Sequence, residues 1–195
     1  ICNEVLEAHG YPPIFMSFME PGNTLAERFV DDRRVALMSF TGSCAIGRQV
    51  AARVAGRMGK SLLELGGNNA MIIDASADLR LAIPSIVFGA VGTAGQRCTS
   101  TRRVFIHESI YGEVVEKLVN AYGQVRIGDP LDPKTLMGPL TDENSVKRFE
   151  HAVAKAVQSG GKVLCGGKRI DRAGCFVEPA IIEAENHWEI VQEET

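Results

Sequence analysis

Apolar positions along the chain recur with two different periods. Ile46, Val50, Val54 and Met58 fall every four residues, which marks one face of a helix, and Gly59-Lys60 is its expected stop. Shorter apolar runs surround that stripe. Residues 35–40, 62–65 and 70–73 read as buried strands, and residues 14–18, which follow Pro12-Pro13, read as another. Residues 23–29 predict a short helix capped by Asn23 or Thr24. Strands that alternate with helices predict an α/β fold with parallel strands.

The second half continues the alternation. Residues 78–98 are apolar and small, and predict a buried helix with Pro84 in its early part. Gly89, Gly92 and Gly95 would line one face of it and allow close packing. Residues 104–106 predict a strand, and Ile110, Val114, Leu118, Tyr122 and Val125 a helical stripe. Residues 126–140 carry Gly128-Asp129-Pro130 and Gly138-Pro139, so they read as a connection. Val146, Phe149, Val153 and Val157 mark a further helix, stopped by Gly160-Gly161, and residues 163–165 and 176–177 read as short strands. No repeat or low-complexity tract interrupts the pattern. A boundary is expected at Gly66-Gly67, dividing residues 1–66 from residues 67–195.

Composition narrows the class. An apolar content of 45% and a charged content of 23% suit a soluble globular protein. A net charge of −3 gives no electrostatic case for nucleic acid or an anionic membrane surface, and no apolar run is long enough to span a bilayer. The chain opens on Ile1 with no signal-type pattern and ends abruptly at Gln192-Glu193-Glu194-Thr195, which predicts an internal segment of a longer protein. Five cysteines, with no CxxC and no Cys/His pairing at zinc spacing, read as the reduced thiols of a cytoplasmic protein. A hairpin pairing of Cys165 with Cys175 is the alternative. His9, His107, His151 and His187 are scattered and suggest no metal site.

Three segments carry candidate chemistry. The first is the turn Thr41-Gly42-Ser43, between a strand and a helix N-terminus whose free N–H groups can hold a phosphate oxygen. It is neither G-x-G-x-x-G nor a Walker loop, since Gly47 is followed by Arg48-Gln49. Ser43 as a plain helix cap and Ser43 as an anion contact both remain open. The second is Cys98 in Gly95-Gln96-Arg97-Cys98-Thr99. A lone Cys in an apolar segment is often inert, but this run breaks the helical pattern and sets Arg97 beside the thiol, and a nearby cation favours thiolate. The third is Glu64, bracketed by Leu62, Leu63 and Leu65. Burial there would suit a general base, and the alternative is a strand-end carboxylate in solvent.

The run Glu64-Leu65-Gly66-Gly67-Asn68-Asn69-Ala70, with Gly92-Thr93-Ala94-Gly95-Gln96-Arg97-Cys98-Thr99, resembles the NAD(P)-dependent aldehyde dehydrogenase superfamily, in particular its antiquitin-like branch. The resemblance implies parts of a Rossmann-like cofactor domain (residues 1–66) and of an α/β catalytic domain (residues 67–195). It implies that Cys98 adds to an aldehyde, that hydride leaves for NAD, and that Glu64 activates water to cleave the thioester. Thr41, Gly42, Ser43, Leu65 and Gly66 would contact the cofactor, and Glu194, in Glu194-Thr195, would hold its nicotinamide ribose. The choice of NAD over NADP stays open. Arg97 would hold the carboxylate of α-aminoadipic semialdehyde, an aldehyde of lysine catabolism, and its alternative is a structural ion pair. The family's oxyanion asparagine is expected upstream of Ile1. Family members assemble as homodimers or homotetramers. Other aldehyde ranges, acyl transfer to coenzyme A, and a non-catalytic structural role on the same scaffold are the competing readings.

Overall fold

The computed structural model describes residues 1–195, which divide by their contacts into Ile1–Leu65 and Gly66–Thr195. In the first unit α1 (Cys2–Ala8) and α2 (Thr24–Asp31) precede β1 (Leu37–Thr41), α3 (Cys44–Gly56) and β2 (Lys60–Glu64). The two strands pair in parallel, from Leu37 opposite Lys60 to Thr41 opposite Glu64. A parallel pair needs a crossover, and α3 supplies it. Val50 and Val54, one turn apart, join Val30 and Met38, with Phe40 and Leu63 packed against them. Burying each valine contributes about 1.5–3 kcal/mol, which holds the helix on the strands. The stripe stops short of its fourth member. Met58 is outside the helix, 94% exposed, and it rather than Gly59 takes the left-handed φ of 62°. Arg57, the C-cap, fixes that exit by donating to the carbonyls of Val30 (2.8 Å) and Val35 (2.7 Å).

One local reading fails here and another holds only in position. Residues 14–18 form no strand. The Asn3 side chain accepts from Ile14 N (3.1 Å) and Phe15 N (2.9 Å) and donates to Phe15 O, so it occupies backbone groups that a ladder would use. Asn23 is the N-cap of α2 but makes no side-chain capping bond. Glu20 does that work through one carboxylate oxygen, which accepts from Leu25 N (2.7 Å) and Ala26 N (3.0 Å).

The second unit contains β3 (Asn69–Ile73), α4 (Leu79–Val91), β4 (Thr101–Ile106), α5 (Tyr111–Gly123), α6 (Glu143–Gln158), β5 (Lys162–Cys165), β6 (Ile181–Glu183) and α7 (Glu189–Gln192). Strands β3 and β4 are parallel, while β5 and β6 are antiparallel. Ile73, Ile86, Val114 and Leu118 form one core cluster, and Val91, Met137, Val146 and Val177 another. Asp78 caps α4 by accepting from Arg80 N at 2.9 Å, and Asp142 caps α6 by accepting from Ser145 N at 2.7 Å.

The helix predicted to run to residue 98 ends at Val91. Gly92 leaves helical geometry, and Thr93, Ala94 and Gly95 follow with φ of 55°, 53° and 71°. The three glycines therefore share no face. A Cβ at Gly89 would meet Thr101, one at Gly92 would meet the Arg97 guanidinium, and Gly95 serves the left-handed turn. Leu81 and Phe88 are each 70% exposed, so α4 is less buried than its composition predicts. Residues 176–177 contribute only a bridge from Val177 to Arg169, and the partner of β5 is β6, a run too short to show a period. Cys165 and Cys175 are both free thiols. No helix is long and apolar enough to cross a membrane.

The ladder between β3 and β4 carries one irregularity. Asn69 pairs with Thr101, but Ala70 pairs with Arg103. Arg102 is thus the extra residue of a bulge, a device that re-aims side chains near functional sites.

Candidate active site

In the first unit the candidate residues gather at the carboxyl ends of β1 and β2, where open parallel sheets place their ligands. Thr41 pairs with Glu64 across the ladder, and Gly42 donates its N–H to the Glu64 carbonyl at 3.0 Å. The Phe40 ring fills the space a Cβ on Gly42 would need, at 2.7 Å. Leu65 side-chain carbons likewise crowd the Cβ position of buried Gly47 on the first turns of α3. Ser43 is the N-cap of α3 and accepts from Ile46 N at a long 3.4 Å. The first turn of α3 carries no acidic residue. Glu64 corrects one expectation, because its side chain is exposed in this chain and the apolar flanks do not enclose it. Alternation explains this: Leu63 faces the core cluster, so its neighbour Glu64 faces outward.

In the second unit the left-handed run at residues 93–95 turns the chain sharply out of α4 and delivers Cys98 to the surface. Holding Thr93 and Ala94 there costs about 1–2 kcal/mol each, so surrounding bonds must over-determine the loop. Several do. Ser100, 1% exposed, donates its N–H to Arg97 O (3.0 Å), and its hydroxyl accepts from Arg97 N (3.2 Å). Asn69 Nδ2 donates to the carbonyls of both Cys98 (2.6 Å) and Ser100 (3.0 Å). The Gln96 amide donates to Thr93 O (3.1 Å) and Pro139 O (3.3 Å) and accepts from Thr141 N (2.9 Å). Gly67 lies so close beneath the Cys98 carbonyl that a Cβ there would overlap it.

Arg97 forms no ion pair. Its guanidinium folds back on the end of α4, donating to Phe88 O (3.2 Å) and lying 5.3 Å from the Phe88 ring centroid. Its Nε is buried without a hydrogen-bond partner. The structural ion pair offered as an alternative is therefore absent.

Glu194 lies in the same unit, with its carboxylate against Gly66 at the place where a Cβ would sit. Arg102 donates to it at 3.1 Å. Arg102 also donates to Gly67 O (3.0 Å), Gly95 O (3.2 Å), Arg97 O (3.2 Å) and Thr195 O. Arg103 donates to Asn68 O (2.8 Å) and Asn186 Oδ1 (3.0 Å). Sequence reasoning missed Arg102, Arg103, Asn69 and Ser100. The one local signal was a pair of arginines opening a strand whose neighbours are apolar.

The comparisons with known proteins agree on a family. Alpha-aminoadipic semialdehyde dehydrogenase of Mus musculus is 49% identical over 196 residues, covering 100% of this chain and 36% of that protein. Aldehyde dehydrogenase family 7 member A1 of Brassica napus is 48% identical, covering 98% of this chain and 39% of its own length. The chain thus spans little more than a third of these relatives. Among solved structures, lactaldehyde dehydrogenase from Escherichia coli superposes with a TM-score of 0.91 at 32% identity, covering 98% of this chain and 41% of that one. Betaine aldehyde dehydrogenase from Staphylococcus aureus, in complex with NAD+, gives 0.88 at 30%, covering 98% of this chain and 39% of that one. The aldehyde dehydrogenase family matches residues 1–195 from end to end, and the chain belongs to it.

Proposed function

We propose that the intact protein oxidises an aldehyde to a carboxylic acid with NAD, through a thioester on Cys98, and that its substrate is α-aminoadipic semialdehyde. The observation that carries the reading is the presentation of Cys98. An exposed thiol stands on a strained loop whose own carbonyl is gripped by Asn69 and buttressed by Gly67. An inert core cysteine needs none of this. The substrate reading is supported by near-50% identity to proteins named for that semialdehyde; Arg97 precedes the nucleophile in sequence, and its guanidinium would have to leave Phe88 to meet a substrate carboxylate.

The chain's residues suit the cofactor. The exposed Thr41-Gly42-Ser43 turn opens α3 without an acidic side chain in its first turn, which favours an anion such as the pyrophosphate. Gly42 and Ser43 would hold that group, Leu65 and Gly66 would border the nicotinamide, and Glu194 would accept from its ribose hydroxyls. The nicotinamide supplies a hydride acceptor when bound. Residues 1–66 accordingly belong to the cofactor-binding part and residues 67–195 to the catalytic part, one residue from the division by contacts.

Cys98 acts first. Its thiolate sulfur bonds to the aldehyde carbon, and the carbonyl π pair moves to oxygen. The oxygen pair reforms the C=O as hydride departs, which leaves a thioester. Glu64 then takes a proton from water, whose oxygen attacks the thioester carbon, and the Cys98 sulfur leaves with its electron pair. Aldehyde, NAD+ and water become acid, NADH and a proton. Glu64 is open to solvent water, without the enclosure expected of the base, so its role rests on the family resemblance. The enzyme works in the cytoplasm as a homodimer or homotetramer.

The test is Cys98→Ala in the intact protein. NADH formation with α-aminoadipic semialdehyde should vanish while NAD binding persists. Retention of more than a small fraction of turnover would remove Cys98 from the mechanism.

A further inference from the structure

We propose that Arg102 is a positioning residue that holds the Cys98 loop and Glu194 in one register, so that nucleophile presentation and cofactor affinity are coupled through a single guanidinium. The inference rests on the nucleophile and cofactor roles proposed above. Its structural basis is independent of them.

All three guanidinium nitrogens are engaged, and they reach three separated segments. Nε donates to Gly67 O at 3.0 Å. Nη2 donates to Gly95 O and Arg97 O, both at 3.2 Å, and to Glu194 Oε1 at 3.1 Å. Nη1 donates to Thr195 O. The two carbonyls from the 92–98 region belong to the left-handed turn and to the residue before the thiol, so the bonds act on the backbone that aims Cys98. Gly67, whose carbonyl accepts from Nε, is also the residue on which a Cβ would overlap the Cys98 carbonyl. Glu194 is trapped from the other side, since its carboxylate fills the Cβ position of Gly66.

The bulge explains how one side chain does this. In a regular strand Arg102 and Arg103 would point to opposite faces. Skipping Arg102 in the pairing of Asn69–Ala70 with Thr101–Arg103 frees both side chains to serve consecutive carbonyls, Gly67 and Asn68. The Arg102 side chain is 13% exposed and the Glu194 side chain 34%, so the pair is screened far less than a surface bridge. A planar fork reaches this set, with the two N–H groups of Nη2 shared among three acceptors, and an ammonium cannot span it. A purely local structural role would need the carbonyl bonds but not the bond to Glu194.

The experiment uses the intact protein with Arg102→Lys, Glu194→Ala and the double variant. Two quantities are read: the NAD dissociation constant by calorimetry, and the rate of Cys98 alkylation by iodoacetamide without NAD. Arg102→Lys should weaken NAD and slow alkylation, each by roughly tenfold or more, as expected for losing hydrogen bonds to charged and constrained partners. The NAD losses of the two single variants should fail to add in the double variant. Glu194→Ala should slow alkylation although Glu194 is remote from the thiol in sequence, and this arm stands even if Arg102→Lys does not fold. Additive NAD losses, or wild-type alkylation in Glu194→Ala, would overturn the coupling. If the unaltered protein neither binds NAD nor oxidises aldehydes, the functional reading fails instead, and the alkylation arm still reports on Arg102 alone.

Discussion

Replacing Gly67 with alanine tests how closely the nucleophile loop is seated. The backbone of Gly67 lies outside the left-handed region, so an alanine is conformationally acceptable there. The obstacle is steric. The new Cβ would overlap the Cys98 carbonyl oxygen and would also meet the Asn69 amide at 3.1 Å. Backbone cannot swing away as a side-chain tip can. A retreat of about 0.7 Å is the least that restores a 3.0 Å contact, and a misplacement near 1 Å at a reacting centre costs about a hundredfold in rate. The same retreat stretches the 2.6 Å bond from Asn69, so overpacking should also cost about 1–3 kcal/mol of stability. Steady-state kcat/KM with α-aminoadipic semialdehyde, iodoacetamide alkylation of Cys98 and a thermal melt would be measured together. The expected pattern is a loss near a hundredfold in kcat/KM with slowed alkylation and a retained cooperative melt. A variant within threefold of wild type in both rates would refute the claim that this contact seats the loop.

Glu64→Gln should slow thioester hydrolysis more than hydride transfer, giving a stopped-flow burst of NADH before a slow steady state; unaltered steady turnover would remove Glu64 as the base. Arg97→Ala should impair α-aminoadipic semialdehyde by about ten- to a hundredfold relative to a simple aliphatic aldehyde, the worth of a charge-assisted contact. Equal losses on both substrates would confine Arg97 to its packing on Phe88. Burial pushes the Tyr122 phenol from near 10 up to about 12. Its neutral form is the one the fold favours, so its contribution is complete below pH 10 and fades as pH rises to about 12. Tyr122→Phe should therefore lose less stability than wild type between pH 10 and 12 in paired denaturant melts; parallel losses would place the alkaline sensitivity elsewhere.

What the sequence revealed was what repeats locally. Val54, Val114 and Val146, all 0% exposed, stand on the stripes that predicted α3, α5 and α6. Those stripes persist over several turns, and burial of one face is what organises a helix. Strands depended on partners that lie far away in sequence. The apolar residues 14–18 had the composition of a strand, yet Asn3 took their hydrogen bonds. The surroundings of Glu64 misled because flanking leucines were read as enclosure, whereas alternation sends Glu64 outward. The end of α4 was overrun because small apolar residues continue past Gly92, and left-handed Thr93 and Ala94 have no compositional mark. The role of Arg102 was hidden for a related reason, although the arginine pair itself was in view. Its importance comes from a register shift against Asn69, and register is a property of two strands rather than one. The motifs around Glu64 and Cys98 were legible enough to give the family, which the match over residues 1–195 bears out.

The central claim is that Cys98 carries the acyl group. It is tested most directly by rapid acid quench of the intact Glu64→Gln variant after mixing with NAD and α-aminoadipic semialdehyde, followed by peptide mass spectrometry. The account predicts one acyl addition, on the peptide containing Cys98, in step with the NADH burst. NADH formed with no modified Cys98, or with the acyl group on another residue, would contradict it.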